Sequence, residues 1–394
     1  MSILFSQAKR LQELPPYIFS EINVIKAEAQ KRGVQLLSMA IGDPDQPTPD
    51  VIIKELQKAS QDPANHAYSP YEGTESFKAQ VALWFQKRFG VQVNPATEVL
   101  ALIGSKEGIA HFPMAFVNPG DKCLYPSPGY PIFSTAIQLA GGIPVPLPHR
   151  WENQFQPDLK ELETLLLVHQ PKYVLLNFPC NPTSAVCSRE VMTEIVQLAI
   201  KHKTILVSDN AYSEMYFEDK DKPISLLEIP GAKDVAIEFH SFSKTFNMTG
   251  WRIAFAVGNP SLIAGLLRVK TNIDSGPLLA VQKAAEFALA HADELCQPIR
   301  NLYLQRRELV LNEFQRMGIE YFHPRATFFV WAKVPGQESS MDFTKRLISS
   351  QGLVVTPGIG FGEHGEGFFR LALTVPDAAI RDAMLRLEKA LKTH

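Results

Sequence analysis

The sequence predicts an α/β protein with a large domain on a mostly parallel sheet, followed by a smaller α+β domain. Three observations predict this. Between residue 49 and about residue 290, short continuous apolar runs alternate with amphipathic stretches, as in buried strands covered by helices on both faces. Beyond Gly276 the texture changes to long helical stretches and aromatic strands. At 394 residues the chain is long enough for two or three structural units. The expected divisions are 1–48, an N-terminal segment packing with the small domain; 49–288, the large domain; and 289–394, the small domain.

Composition excludes several classes. Hydrophobic content of 45% and charged content of 20% belong to a globular protein. A net charge of -2 offers no electrostatic reason for binding nucleic acid or an anionic membrane. Cys123, Cys180, Cys187 and Cys296 form no C-x-x-C pair, so reduced thiols are expected rather than a zinc site or disulfide framework. Met1 to Leu14 carries no apolar block, and no run of about 18 apolar residues occurs, so neither a secretory signal nor a membrane span is expected. A cytoplasmic protein follows from that reading.

Taken in order, Glu21 to Arg32 reads as a weakly periodic helix and Gln35 to Ile41 as a short strand. Gly42 to Pro49 holds three prolines, which exclude regular structure and mark a crossing; Thr48 is the expected N-cap of a helix to Ala59. Strands are expected at Val99–Ile103, Lys122–Tyr125, Tyr173–Phe178, Thr204–Ser208, Val235–His240 and Ile253–Gly258. Helices follow at Ile109–Phe116, up to Ala140, and at Arg189–His202. Leu278–Ala290 and Asp293–Met317 read as long helices, Ala326–Ala332 and Gly367–Leu373 as strands, and Asp377–Lys392 as a closing helix. In a doubly covered parallel sheet, function sits at the carboxyl ends of the strands.

The stretch Ser241-Phe242-Ser243-Lys244-Thr245-Phe246-Asn247-Met248-Thr249-Gly250-Trp251-Arg252 links two of those strands. Enclosure there lowers a lysine's ammonium pKa and suits Lys244 to form an imine with a carbonyl cofactor. The neighbouring hydroxyls and Arg252 suit a phosphate. A lone Ser-x-Ser-Lys is equally a solvated loop. Asp209, directly after a strand, either holds a pyridine nitrogen protonated or caps a helix. Tyr212 and Asn181, in Asn181-Pro182-Thr183, offer hydrogen bonds to a ring oxygen, although Asn-Pro is also a plain turn. Tyr130 stacks on a ring or simply packs. Gly104-Ser105-Lys106, where a strand meets a helix, presents N–H groups to a phosphate. Arg370, central in an aromatic strand, clamps a carboxylate or forms a buried ion pair. Gly358-Ile359-Gly360-Phe361-Gly362 reads as a flexible surface loop, and the ten histidines show no metal-ligand spacing.

In this order, along essentially the whole chain, these residues resemble the fold-type I, class I/II aminotransferases, which use pyridoxal 5'-phosphate. The resemblance implies a seven-stranded sheet in the large domain. It implies Lys244 as imine lysine and general acid/base, Asp209 on the pyridine nitrogen, Asn181 and Tyr212 on the ring oxygen, and Tyr130 on the ring face. Ser105 and Lys106 through their backbone, with Ser241, Ser243 and Arg252, would hold the phosphate. Tyr68, in Tyr68-Ser69-Pro70-Tyr71-Glu72-Gly73, matches a tyrosine that reaches the neighbouring subunit's phosphate, which implies a homodimer with shared sites. Gly42 and Arg370 would hold the substrate carboxylate. Ser184 stands where the family usually has glycine, and Cys180 where a polar or small residue is usual.

The stretches Gly104–His111, Asn272–Gly276, and Phe239–Lys244 with Asn247–Arg252 look most like the LL-diaminopimelate aminotransferase branch. There Tyr17 and Lys106 match substrate-contacting positions, with Tyr130 and Asn181 beside them. The side-chain-reading glutamate is shifted by one to Glu72. The alternatives are an alanine- or aromatic-type aminotransferase, with 2-oxoglutarate as acceptor, or a β-eliminating lyase on the same scaffold. A silent aminotransferase-like sensor would carry an additional basic N-terminal domain, for which the chain is expected to have no room.

Overall fold

Strands form where the apolar runs are, and most are buried on both faces. A computed structural model of the chain describes residues 5–14 and 18–392. β1 (Leu37–Ser38) is followed by β2 (Val99–Leu102), β3 (Lys122–Ser127), β4 (Ile143–Pro148), β5 (Tyr173–Asn177), β6 (Ile205–Asp209), β7 (Ala236–Ser241) and β8 (Ala254–Gly258). β2 to β8 make a seven-stranded sheet in the order β2-β8-β7-β6-β5-β3-β4. Its pairs are parallel except those of β8, which runs against both β2 and β7.

Alternate residues show why these strands read as continuous apolar runs. Val99 and Ala101 enter one core cluster while Leu100 and Leu102 enter another, and Val174 and Leu176 are divided from Tyr173 and Leu175 in the same way. Side chains at i and i+1 point to opposite faces, so a sheet covered on both sides needs apolar residues at every position. Burying each large apolar side chain stabilises the fold by about 1.5–3 kcal/mol.

The C-terminal unit adds β9 (Tyr321–Phe322), β10 (Phe329–Lys333), β11 (Leu353–Val354), β12 (Thr356–Pro357) and β13 (Phe368–Ala372). An antiparallel sheet has the order β12-β13-β10-β9, and β11 pairs in parallel with β1, Leu37 lying opposite Leu353. The N-terminal helix Ile18–Lys31 buries Ile22 and Ala29 in a cluster with Ile348 and Val354. The 26-residue helix Ala292–Met317 leads into this unit and stops at Gly318, whose left-handed φ of 70° closes the last turn.

Several expectations need correction. Thr48 does not cap the helix Asp50–Ser60; its hydroxyl donates to Asn247 O at 2.8 Å, tying the crossing segment to the lysine loop. The segment Gly358–Phe361 is a short 3-10 helix with Gly358 and Phe361 buried, not a surface loop. β4 went unnoticed because Pro144, Pro146 and Pro148 interrupt it; as the edge of the sheet it needs no full set of N–H donors. The helix after β2 begins at Ser105, not Ile109, so Ser105 and Lys106 form its first turn.

Candidate active site

The sheet gathers the candidate residues at one end of its strands. Ser105, Tyr130 and Asn181 follow the carboxyl ends of β2, β3 and β5; Asp209 ends β6, and Ser241–Lys244 closes β7. Because β8 is reversed, Arg252, two residues before its first residue, reaches that same end. Ser105, Tyr130, Asn181, Asp209, Ser241, Ser243, Lys244 and Arg252, with Gly42, Lys106, Tyr212 and Arg370, line one cavity of about 520 Å³.

Hydrogen bonds fix the loops around it. Asn177, fully buried, donates through Nδ2 to Asp209 O at 2.9 Å and accepts the Asn181 N–H through Oδ1 at 2.9 Å. The Asn181 turn and the end of β6 are therefore held by one side chain. Lys244 Nζ donates to Gly42 O at 2.8 Å. Arg370 Nη1 donates to Asn181 Oδ1 at 2.6 Å and Nη2 to Ala40 O at 2.7 Å, while its guanidinium lies over the rings of Phe329 and Phe361 at 4.1 and 4.7 Å. Tyr212 meets Phe328 and Phe329 edge-on. Lys106 Nζ sits 5.7 Å from the centre of the Tyr130 ring.

Burial sets the protonation states. The Lys244 amine is pushed down to about 8, first by loss of water and then by the positive charges of Arg370 and Arg252, with Asp43 opposing. Burial pushes the Asp209 carboxyl up to about 7, although the Ala211 N–H favours its charged form. The Tyr212 phenol is raised by burial, so it stays protonated and able to donate.

These residues fit pyridoxal phosphate. A buried carboxyl that resists ionisation gains its charge when a protonated ring nitrogen meets it. At the other end, Gly104 has a φ of 133°, and a Cβ there would overlap the Arg252 guanidinium. The bare glycine leaves a cradle between the first turn of the Ser105 helix and Arg252, the kind of site that takes a phosphate.

Tyr68 is 90% exposed and does not line the cavity, nor does Glu72. Tyr17 lies outside the described residues. Reading the sequence missed Asn23 and Lys26, which reach the cavity from the helix Ile18–Lys31, and the rings of Phe329 and Phe361 beside Arg370. Asn23 and Lys26 gave no local signal beyond lying three apart on one helix face. The stretches Gly104–His111 and Asn272–Gly276 meet through Lys270: its fully buried Nζ lies 2.6 Å from Asp274 and 3.6 Å from Glu107, and Glu107 contacts His111 at 2.9 Å. Glu107, His111 and Asp274 are spaced as metal ligands could be, but the Lys270 ammonium already answers their charge.

Fold and cavity define a pyridoxal-phosphate-dependent enzyme of fold type I. The sequence model of the family "Aminotransferase class I and II" matches residues 34–387, and the chain belongs to that family. It is 48% identical over 383 residues to an LL-diaminopimelate aminotransferase of Oleidesulfovibrio alaskensis, covering 97% of this chain and 98% of the relative. An enzyme of the same name from Aquifex aeolicus is 47% identical over 385 residues, covering 98% and 99%. Among solved structures, substrate-bound BacF from Bacillus subtilis superposes with a TM-score of 0.92 at 32% identity, covering 98% of each chain.

Proposed function

We propose that the chain moves an amino group between LL-diaminopimelate and 2-oxoglutarate, an aminotransferase step of lysine biosynthesis. One observation carries this choice of substrate. Lys26, Lys106, Lys244, Arg252 and Arg370 line the cavity, against Asp209 alone among the described acidic residues. One cation serves a phosphate and one an α-carboxylate, and Lys26 and Lys106 remain for a second carboxylate. Both proposed substrates are dicarboxylates, whereas alanine and phenylalanine would leave those two lysines without an anion. The names of the full-length relatives agree with this reading.

Bound, pyridoxal phosphate supplies an aldehyde that takes over the amino group and a ring that takes up the electron pair left when the α-carbon loses its proton. Lys244 would hold the aldehyde carbon and Asp209 the ring nitrogen. Tyr130 would cover one ring face, and Tyr212 with Asn181 Nδ2 would donate to the ring oxygen. Ser105 and Lys106 by their N–H groups, with Ser241, Ser243 and Arg252, would receive the phosphate. Displaced from the aldehyde carbon by the incoming amino group, Lys244 Nζ would be free to take the α-proton, and the burial and neighbouring arginines that lower its pKa favour the neutral amine this needs. Arg370, held flat by Asn181 and two rings, orients the α-carboxylate. Gly42 leaves room there, since a Cβ would come within 2.6 Å of the Phe329 ring.

The working enzyme is a homodimer in this reading. Tyr68 and the apolar residues Ile41, Ile273 and Leu278 are each exposed, which leaves apolar surface for a second copy to cover. Tyr68 would then reach the partner's phosphate site, and Glu72 on the same loop would face the distal ammonium of diaminopimelate. No helix among the described residues is long and apolar enough to cross a membrane, and we assign the enzyme to the cytoplasm.

The test is kcat/KM for LL-diaminopimelate, its meso isomer, alanine, phenylalanine and aspartate with 2-oxoglutarate under one set of conditions. LL-diaminopimelate should exceed alanine and phenylalanine by about 10²-fold or more, because a site built for a polar group rejects substrates lacking it. If alanine or phenylalanine is preferred, the aminotransferase stands and the substrate assignment fails.

A further inference from the structure

Two residues other than glycine hold left-handed backbone angles against one another. Ser184 and Thr327 both have φ of 62°, and neither is exposed to solvent. Such angles are rare for non-glycine residues and rarer for β-branched ones, so the surrounding contacts must enforce them. The hydroxyls supply those contacts. Ser184 Oγ donates to Phe329 O at 2.8 Å and accepts from Thr327 Oγ1 at 2.6 Å, while Thr327 Oγ1 accepts the Phe329 N–H at 3.1 Å.

The contacts close a circuit through the carboxylate end of the cavity. The Phe329 ring lies 4.1 Å from the Arg370 guanidinium, and Arg370 donates to Asn181 at 2.6 Å. Asn181 is three residues before Ser184 in the same turn, and the Ser184 N–H donates to Cys180 O at 2.8 Å. The turn after β5 and the first residue of β10 therefore hold Arg370 from two sides, and Ser184 Oγ sets the spacing between them.

We propose that Ser184 is a positioning residue for substrate-carboxylate binding, acting through Phe329 and Asn181 on Arg370. This rests on the reading of Arg370 as the carboxylate-binding residue. A glycine at 184 would suit the backbone better, because it accepts positive φ without strain. Serine is the worse choice for the turn and the better one for the circuit.

That conflict gives the test, made on the cofactor-loaded enzyme with glutarate, a dicarboxylate with no reacting amino or keto group. Ser184→Gly should weaken glutarate about tenfold and raise KM for amino donor and 2-oxoglutarate alike, as expected when a buried carbonyl loses its donor. The kcat should stay within about twofold, because an interaction made equally in ground and transition states moves KM alone. The thermal midpoint should not fall. Ser184→Ala, which keeps the backbone strain, should weaken glutarate at least as much. Wild-type glutarate affinity in Ser184→Gly overturns the proposal, as does a loss of affinity accompanied by a lower midpoint, which marks Ser184 as a general structural residue. Arg370→Ala separates the two readings: if it binds glutarate like wild type, the assignment of Arg370 fails; if it binds weakly while Ser184→Gly does not, the positioning role alone fails.

Discussion

Lys244 Nζ and Gly42 O are 2.8 Å apart although 202 residues separate them in the chain. The amine of the β7 loop rests on a carbonyl of the N-terminal crossing segment, in a place where burial and two arginines disfavour its charge. Losing its proton costs the lysine little, and that is the property a nucleophilic amine needs.

The first prediction concerns pH. In cofactor-free protein the rate at which Lys244 captures pyridoxal phosphate should rise with pH and level off above an inflection near 8, because the amine reacts only after losing its proton. Stopped-flow absorbance across pH 6–10 reads this directly, and an inflection above about 10 would mean that the amine behaves as an ordinary lysine.

Asp209 opposes stability to function. Its folded pKa of about 7 lies above the ordinary 3.8, so the cofactor-free fold loses stability as pH rises through that interval and carries the full penalty above 7. Asp209→Asn should therefore unfold at higher temperature than wild type at pH 8 without cofactor, with the difference vanishing towards pH 4. With cofactor the order reverses, and the single-turnover rate with amino acid should fall by about 10²-fold or more. Thermal scans with and without cofactor, and one stopped-flow trace, check both halves.

Lys26 is expected to read the distal carboxylate. Lys26→Ala should lower kcat/KM for dicarboxylic substrates by about tenfold, the order expected for one charge-assisted hydrogen bond, while alanine is unaffected. Equal losses on both substrate types would assign Lys26 to packing of the N-terminal helix.

Shared sites make a prediction about mixtures. Hybrids of Lys244→Ala chains with Tyr68→Ala chains should contain one intact site each, on the Tyr68→Ala chain, because Tyr68 would come from its partner. Activity of purified hybrids should exceed that of either parent dimer, and no gain in a demonstrated hybrid would place Tyr68 in its own chain's site.

The candidate site was legible in the sequence because it adjoins buried strands: Asp209 ends the apolar β6, and Ser241–Lys244 closes β7, whose apolar run is interrupted only by the buried Glu238 and His240. What was hidden depended on tertiary placement. An apolar run has no direction, so nothing in Ala254–Gly258 announced that β8 is reversed, the arrangement that brings Arg252, already read as a phosphate residue, to the same end of the sheet as Lys244. Prolines masked β4, and glycines made Gly358–Phe361 look mobile when Phe361 packs over Arg370. Thr48 had the right side chain for a helix cap and found an acceptor on the lysine loop instead. Asn23 and Lys26 line the cavity because the N-terminal segment packs on the C-terminal unit, with β1 paired to β11, a placement no local pattern announces.

The central claim is that the cavity at the ends of β2, β3 and β5–β7 is where the amino group is transferred and that Lys244 is its covalent anchor. Borohydride reduction of the cofactor-loaded enzyme, followed by peptide mapping, tests it most directly. A single reduced pyridoxyl group on Lys244, and none in Lys244→Ala, is the expected result. A label on Lys106, Lys26 or any other lysine of the wild-type enzyme would contradict it.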